Sequence, residues 1–355
     1  MPSTLSNHLA RGFGVEIECY LPEGQSSQAA AAAVTSRIGK PISVTGYNHI
    51  RMENWKIVPD GSLGDPRGIE FVSPVLNGEA GLAEVEKVCE ALTDFGCTVS
   101  KKCGLHVHVG VGAPDLQFFK NIARIYSVFE PVIDTLVPVS RRASNCMFAR
   151  SVTGANPQKL ANAATFAAVM QATTNTMSNE ARYYKLNLSA HTRHKTVEFR
   201  QHSGTLDGRK AAMWARLCLR LVAAAFRGPF DNAAAAPVAV ASFNQARPGS
   251  KAWQIGQMLL RPEGVTGNEV CAAMNWPSVS MPAQARMCGI EFTTQRTGRE
   301  VRYFAQVSAP QATTTAAATP ITLAGLLDFT ECSETERSYF QSRARDLSGS
   351  VAWAA

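Results

Sequence analysis

The sequence has no apolar run near the roughly 18 residues needed to cross a bilayer. It also lacks any C-x-x-C pair and any internal repeat, and only 18% of its residues are charged. The first absence excludes a membrane-spanning helix. Nine cysteines without a C-x-x-C fit neither a zinc ribbon nor, being odd in number, a closed disulfide framework. A reducing cytoplasm is therefore the expected compartment. The opening residues MPSTLSNHLARGFG lack the apolar stretch of a secretion signal and point the same way. What is present, 355 residues with 45% hydrophobic content, excludes a disordered, collagenous or coiled-coil chain and predicts two or three folding units. The net charge of +7 permits contact with nucleotides or nucleic acid without requiring it.

Up to about residue 230, short runs with strand character alternate with helical ones. Period-two alternation and β-branched content predict strands at 12–21, 53–59, 68–73, 104–111, 183–190 and 195–202. Helical spacing predicts helices at 79–95, 114–137, 156–177 and 207–227. The strands are not separated by one helix each, so an α+β fold with a mostly antiparallel sheet is expected in place of a doubly wound one. Residues 229–250, rich in Ala and Pro, read as a linker after a domain at 1–228. A compact segment follows at 251–305, then a low-complexity stretch and a helix around 334–346 within 306–355.

Four of the expected strands carry the same unusual pattern. In Gly14-Val15-Glu16-Ile17-Glu18-Cys19 the two glutamates share one face and the apolar residues the other. Adjacent carboxylates repel unless a cation neutralises them, and a divalent metal does so well. Glu70 sits between Ile69 and Phe71; His106 and His108 alternate with Leu105, Val107 and Val109; Glu198 and Arg200, with His202, alternate with Val197, Phe199 and Gln201. Asp60, in the turn Asp60-Gly61-Ser62, offers a carboxylate to an amine. Each motif alone is also what a strand with a solvated face, or an ordinary turn, looks like. Four together differ, because solvated faces are usually built from Lys, Thr and Ser. Facing one another across a sheet, they would line a cavity with metal-ligating groups and a guanidinium.

These motifs, taken in order, resemble the amidoligase family, which is related to glutamine synthetase and glutamate–cysteine ligase. The resemblance lies in G-x-E-I-E at 14–18, W-x-x-x-x-D-G-S at 55–62, G-I-E-F-V-S-P at 68–74 and C-G-L-H-V-H-V-G at 103–110. It continues in R-Y-x-x-L-N-L at 182–188 and T-V-E-F-R-x-H-x-G-T at 196–205, and covers roughly 11–227. It implies a glutamine synthetase-like curved sheet that binds ATP with Mg or Mn and forms an amide through an acyl phosphate. By that resemblance Glu16, Glu18, Glu70, His106 and Glu198 are metal ligands and His108 contacts the ATP phosphate. Arg200 would hold the acyl phosphate or substrate carboxylate, Asp60 would receive the amine, and Arg141 or Arg142 would face phosphate. Ser62, Arg182, Asn187 and His202, inside the same motifs, are expected to touch substrate.

Residues 251–305 look like a small winged helix-turn-helix domain with an R-P-E-G-x-T signature, Arg296, Arg299 and Arg302 standing on the wing. Where the recognition helix should lie, Arg286 is the sole cation and Pro282 is expected to interrupt it. That composition leaves nucleic acid and protein both open as partners. The first reading of the whole is a carboxylate–amine ligase with an appended winged helix. The alternatives are a non-catalytic nucleic-acid-binding or regulatory protein on a ligase scaffold, and a metal-dependent hydrolase. Asp60, Glu198 and Arg200 favour the ligase.

Overall fold

The computed structural model describes residues 8–176, 179–227, 251–259, 263–288, 292–298 and 300–305. They fall into two units, one of residues up to 227 and one of residues between 251 and 305. The expected linker at 229–250 and everything from 306 onward, including the helix near 334–346, lie outside the described residues.

The first unit runs β1 (Phe13–Tyr20), α1 (Ser27–Ile38), β2 (Ser43–Val44), β3 (Lys56–Pro59), β4 (Gly68–Val72), α2 (Gly78–Asp94), β5 (Gly104–Gly110) and α3 (Leu116–Ile133). It continues through α4 (Pro157–Asn162), α5 (Phe166–Thr174), β6 (Leu186–Asn187), α6 (Ala190–His194), β7 (Thr196–Ser203) and α7 (Gly208–Phe226). The strands form one seven-stranded sheet in the order β2-β3-β4-β1-β5-β7-β6. Every neighbouring pair is antiparallel except β2 with β3. This is the mostly antiparallel α+β architecture expected from the sequence.

Alternation sets the two faces. Phe13, Val15, Ile17, Ile69, Phe71, Leu105, Val107, Val197 and Phe199 are all buried in one core with apolar residues of α2, α3 and α7. α2 is helical for the reason its spacing indicates: Leu82, Val85, Val88, Cys89 and Leu92 form its buried stripe. Gly96, at φ +90°, follows its end. α7 is capped by Asp207, whose side chain accepts from the Lys210 N–H at 3.1 Å.

Three elements depart from expectation. The helix at 156–177 breaks in two because Thr165 turns extended (φ −138°, ψ 158°) and caps α5 through the Ala168 N–H. The strand at 183–190 shrinks to the two residues of β6, since α6 begins at Ala190. The unanticipated α1 carries a run of alanines at 29–33 and no strong apolar stripe; it is defined by its Ser26 cap and by Gly39 at φ 69°.

The second unit comprises α8 (Lys251–Leu259), β8 (Val265–Thr266), α9 (Gly267–Met274), α10 (Met281–Cys288), β9 (Phe292–Thr297) and β10 (Glu300–Ala305). Its three strands are ordered β8-β10-β9. Ile255, Leu259, Val265, Val270, Met281 and Ala285 make its core. Pro282 does not interrupt α10. It is the second residue of the helix, where its missing N–H is not needed. Among the described residues, no helix is long and apolar enough to cross a membrane.

Candidate active site

β1 lies between β4 and β5 and is the hub of the site. The registers set Glu18 opposite Glu70, Glu16 opposite His106 and Gly14 opposite His108. Farther along, both His108 and Asn187 pair with Glu198. Directly opposed residues share a face. Pairing alone therefore gathers Glu16, Glu18, Glu70, His106, His108 and Glu198 on the face away from the helices.

Glu16 holds both histidines. Its Oε2 is 3.1 Å from His106 Nδ1, and its Oε1 is 3.3 Å from His108 Nε2. His106 Nε2 lies 3.5 Å from Glu18 Oε1. Glu198 Oε1 stands 3.9 Å from His106 Nδ1 and 3.8 Å from His108 Nε2. Two overlapping triads result, Glu16–Glu70–His106 and Glu16–His108–Glu198, in each of which three ligand atoms lie within 4.8 Å of one another. Oxygen donors with one imidazole suit Mg or Mn, so the donor set fits divalent ions. The Glu16 side chain is 26% exposed and that of His108 17%, against 5% for Glu198, so the cluster meets solvent on the Glu16–His108 side.

Electrostatics separates Glu16 and Glu198 from Glu70. Burial opposes ionisation of Glu16, but His108 and His106 outweigh it and hold the carboxyl well below its usual range. Glu198 is lowered too, burial being overcome by Arg200 and His108. Glu70 moves the other way: burial, then the charges of Glu16, Glu18 and Asp60, push it well above its ordinary value. His108 is raised despite burial, by Glu198 and Glu16. The repulsion that raises Glu70 is the condition under which a divalent cation, by displacing its proton, would bind.

The surroundings hold these groups in place. Glu18 Oε2 accepts from the Gly104 N–H at 2.7 Å. A Cβ at Gly104 would stand 2.8 Å from His106 Nε2, so any larger residue there would displace the imidazole. Asn187 Nδ2 donates to Glu198 Oε2 at 2.5 Å, while its Oδ1 accepts from the N–H and hydroxyl of Ser189. Arg200 donates to Glu198 Oε1 and, through Nε, to the Phe148 carbonyl at 3.3 Å.

The remaining expected residues divide. Asp60 accepts from the Ser62 N–H at 2.9 Å, at the head of a short turn, and lies close enough to Glu70 to raise its pKa. Ser62 itself is exposed. Arg141 is buried, bonding the carbonyls of Lys102 and Cys103 immediately before Gly104, and its Nε has no partner. Arg142 instead bonds the Val137 carbonyl of its own loop, so Arg141 is the one tied to the site strand. Asn187 reaches the site as a support for Glu198. Arg182 is exposed and stacks on Tyr183 at 4.7 Å. His202 is not brought to the acidic face. An irregularity in the β5–β7 register sets it opposite the buried Leu105, with its ring 5.0 Å from Trp214 of α7.

Sequence reasoning missed Lys56, Thr196 and His194. Lys56 pairs with Val72, which pairs with Glu16, so it lies on the acidic face. It is buried, and its ammonium donates to Asn48 Oδ1 at 2.9 Å and the Ile50 carbonyl at 2.8 Å. A cation alternating with the apolar residues of Trp55-Lys56-Ile57-Val58 was a usable signal. Thr196 Oγ1 lies 2.9 Å from His108 Nδ1. The His194 ring meets that of His108 edge-on at 5.9 Å. In the second unit, Arg296 is exposed, Arg302 is paired with Glu269 at 2.9 Å, and Arg299 lies outside the described residues.

A family model described as "putative amidoligase enzyme" matches residues 9–222, more than half of the chain and all of the acidic face. No curated protein matches the chain.

Proposed function

The chain belongs to the amidoligase family, and we propose that it joins a carboxylate to an amine with conversion of ATP to ADP and phosphate. The observation that carries this reading is Glu16 shared between two acid–histidine triads beside Arg200. Glu16, Glu70 and His106 would hold one Mg or Mn, and Glu16, His108 and Glu198 another, with Glu18 against His106. Such ions polarise phosphate oxygens and neutralise their charge.

The chain's own groups account for the rest. A carboxylate is a poor acyl donor because oxide is a poor leaving group. Its oxygen attacks the γ-phosphorus of ATP, the bond from that phosphorus to the bridging oxygen breaks, and ADP leaves. Arg200 holds the resulting acyl phosphate, and Arg141 braces the strand from below Gly104. The amine nitrogen then attacks the acyl carbon and gives its proton to Asp60, and phosphate departs with the bonding pair. His108 has two uses set by its tautomer: Nδ1–H donated to Thr196 frees Nε2 as a ligand, whereas Nδ1 accepting makes Nε2–H a donor to phosphate. The test is ADP release by the full chain with panels of acids and amines. Release that needs both substrates supports the ligase. Amide cleavage without nucleotide would make it a hydrolase instead.

For the second unit we read a winged helix-turn-helix, supported by the order α8-β8-α9-α10-β9-β10 with β10 central. Its use is to present a macromolecular substrate, nucleic acid first, and the exposed Arg296 on β9 motivates that choice. Titration of the full chain with DNA across salt decides between partners. Absence of binding at low salt removes nucleic acid and leaves protein docking.

A further inference from the structure

The acidic face has two chemically different ends. At one, Gly104 pairs with Ser203, the Asp60 N–H bonds the Gly68 carbonyl at 3.0 Å, and Arg141 binds the 102–103 carbonyls. At the other, Gly110 pairs with Thr196, and the turn His191-Thr192-Arg193-His194-Lys195 stands over His108. That turn is fixed from several sides. His191 Nε2 lies 3.0 Å from the Gly112 carbonyl, and its ring packs on Phe119 at 4.8 Å. Lys195 closes it in the left-handed region (φ 57°), donating to the His191 carbonyl at 3.1 Å and accepting from the Val111 N–H at 3.0 Å. The anchoring leaves Arg193, His194 and Lys195 exposed, with the His194 ring against His108 of the Glu16–His108–Glu198 triad. Among the described residues, no carboxylate ion-pairs with Arg193 or Lys195.

A nucleoside triphosphate with its terminal phosphate over the triads carries further charged phosphates, which must leave the face at one end. The Asp60 end presents a carboxylate that repels them, and its guanidinium, Arg141, is buried and bonded to the Lys102 and Cys103 carbonyls. The other end presents cations and an imidazole. We propose that Arg193, His194 and Lys195 form an outer phosphate subsite for the nucleotide, with His194 as the direct contact. This rests on the ligase reading above, which assigns nothing to these residues.

The test is calorimetric titration of the full chain, in saturating Mg, with ATP, with ADP and with inorganic phosphate. The variants are His194→Ala and Arg193→Ala/Lys195→Asn; asparagine is chosen because it tolerates the left-handed backbone. Lys87→Ala, an exposed cation on α2, controls for net charge. One hydrogen bond to a charged group is worth about 1.5 kcal/mol, or roughly tenfold in affinity. ATP and ADP should weaken by about that factor in both variants, with inorganic phosphate and the control unchanged. Wild-type affinity for ATP in His194→Ala, or an equal loss in Lys87→Ala, overturns the subsite alone. An equal loss of inorganic phosphate puts a free anion there and also overturns it. A wild-type chain that binds no nucleotide takes down the ligase reading along with it.

Discussion

Because Glu16 belongs to both triads while Glu70 and Glu198 each belong to one, neutralising these three carboxylates should not have equal effects. Replacing Glu16 by Gln would remove one ligand from each of the two proposed ions. Glu70→Gln impairs only the site with His106, and Glu198→Gln only the site with His108. A ligand present at 100 times its dissociation constant stabilises a fold by about 2.7 kcal/mol. For a unit of this size each kcal/mol moves the midpoint by about 2–4 °C. Two independent ions should therefore raise the wild-type midpoint by about 10–20 °C, and Glu70→Gln or Glu198→Gln should keep about half of that. Glu16→Gln should keep almost none. The comparison must be made within each variant, with and without Mn. Without metal, Glu16→Gln loses its contacts with His106 and His108 but relieves repulsion against Glu70 and Glu198, and these effects oppose one another. Thermal melts across a Mn titration, with calorimetric stoichiometry, give the answer. A shift in Glu16→Gln as large as in Glu70→Gln would refute the shared-ligand geometry.

Asp60→Asn should leave nucleotide binding and acyl activation intact and abolish attack by the amine; hydroxylamine should then trap the activated acyl group, and failure to trap any while ATP still binds would count against the division of roles. Asn187→Ala removes the donor to Glu198 Oε2, so Mn affinity should fall about 10–100-fold, and calorimetry showing unchanged affinity would reduce Asn187 to a packing residue. For pH the signs differ by residue: Glu16 and Glu198, lowered in the fold, stabilise it above their ordinary values and stop doing so as acid protonates them, whereas Glu70 is raised, so its contribution is present in acid and is lost as pH rises through its folded value. A metal bound by Glu70 would displace its proton, so Mn affinity should climb with pH and binding should release protons; identical heats in buffers of different ionisation enthalpy would contradict this.

The acidic face was legible because strand alternation is local. Glu16 and Glu18 on β1, His106 and His108 on β5, and Glu198 on β7 needed only period two to be assigned together, and the sheet then brought them side by side. What the chain does across distance was not legible. Arg141 and Arg142 are identical in type and adjacent in sequence; only folding of the 137–142 loop onto the Lys102–Cys103 carbonyls distinguishes them. The strand pattern around Lys56 could be read, but not what it binds, because its partners, Asn48 and Ile50, lie on an irregular loop with no periodicity.

His202 shows where the alternation argument stops. Counted in twos from Glu198 and Arg200, it belongs on the acidic face. Val107 pairs with Phe199, yet Leu105 pairs with His202, so β7 spends three steps where β5 spends two. The extra residue reverses the assignment of everything after it. It falls beyond Arg200, which is why Glu198 and Arg200 keep their places over the triads while His202 turns to Trp214. Gln201 lies before the reversal, on the helix side with Val197 and Phe199, and there accepts from the hydroxyl of Tyr126 of α3. Period two thus predicts a site residue only up to the first bulge, and the residues nearest the hub strand are the ones it places best.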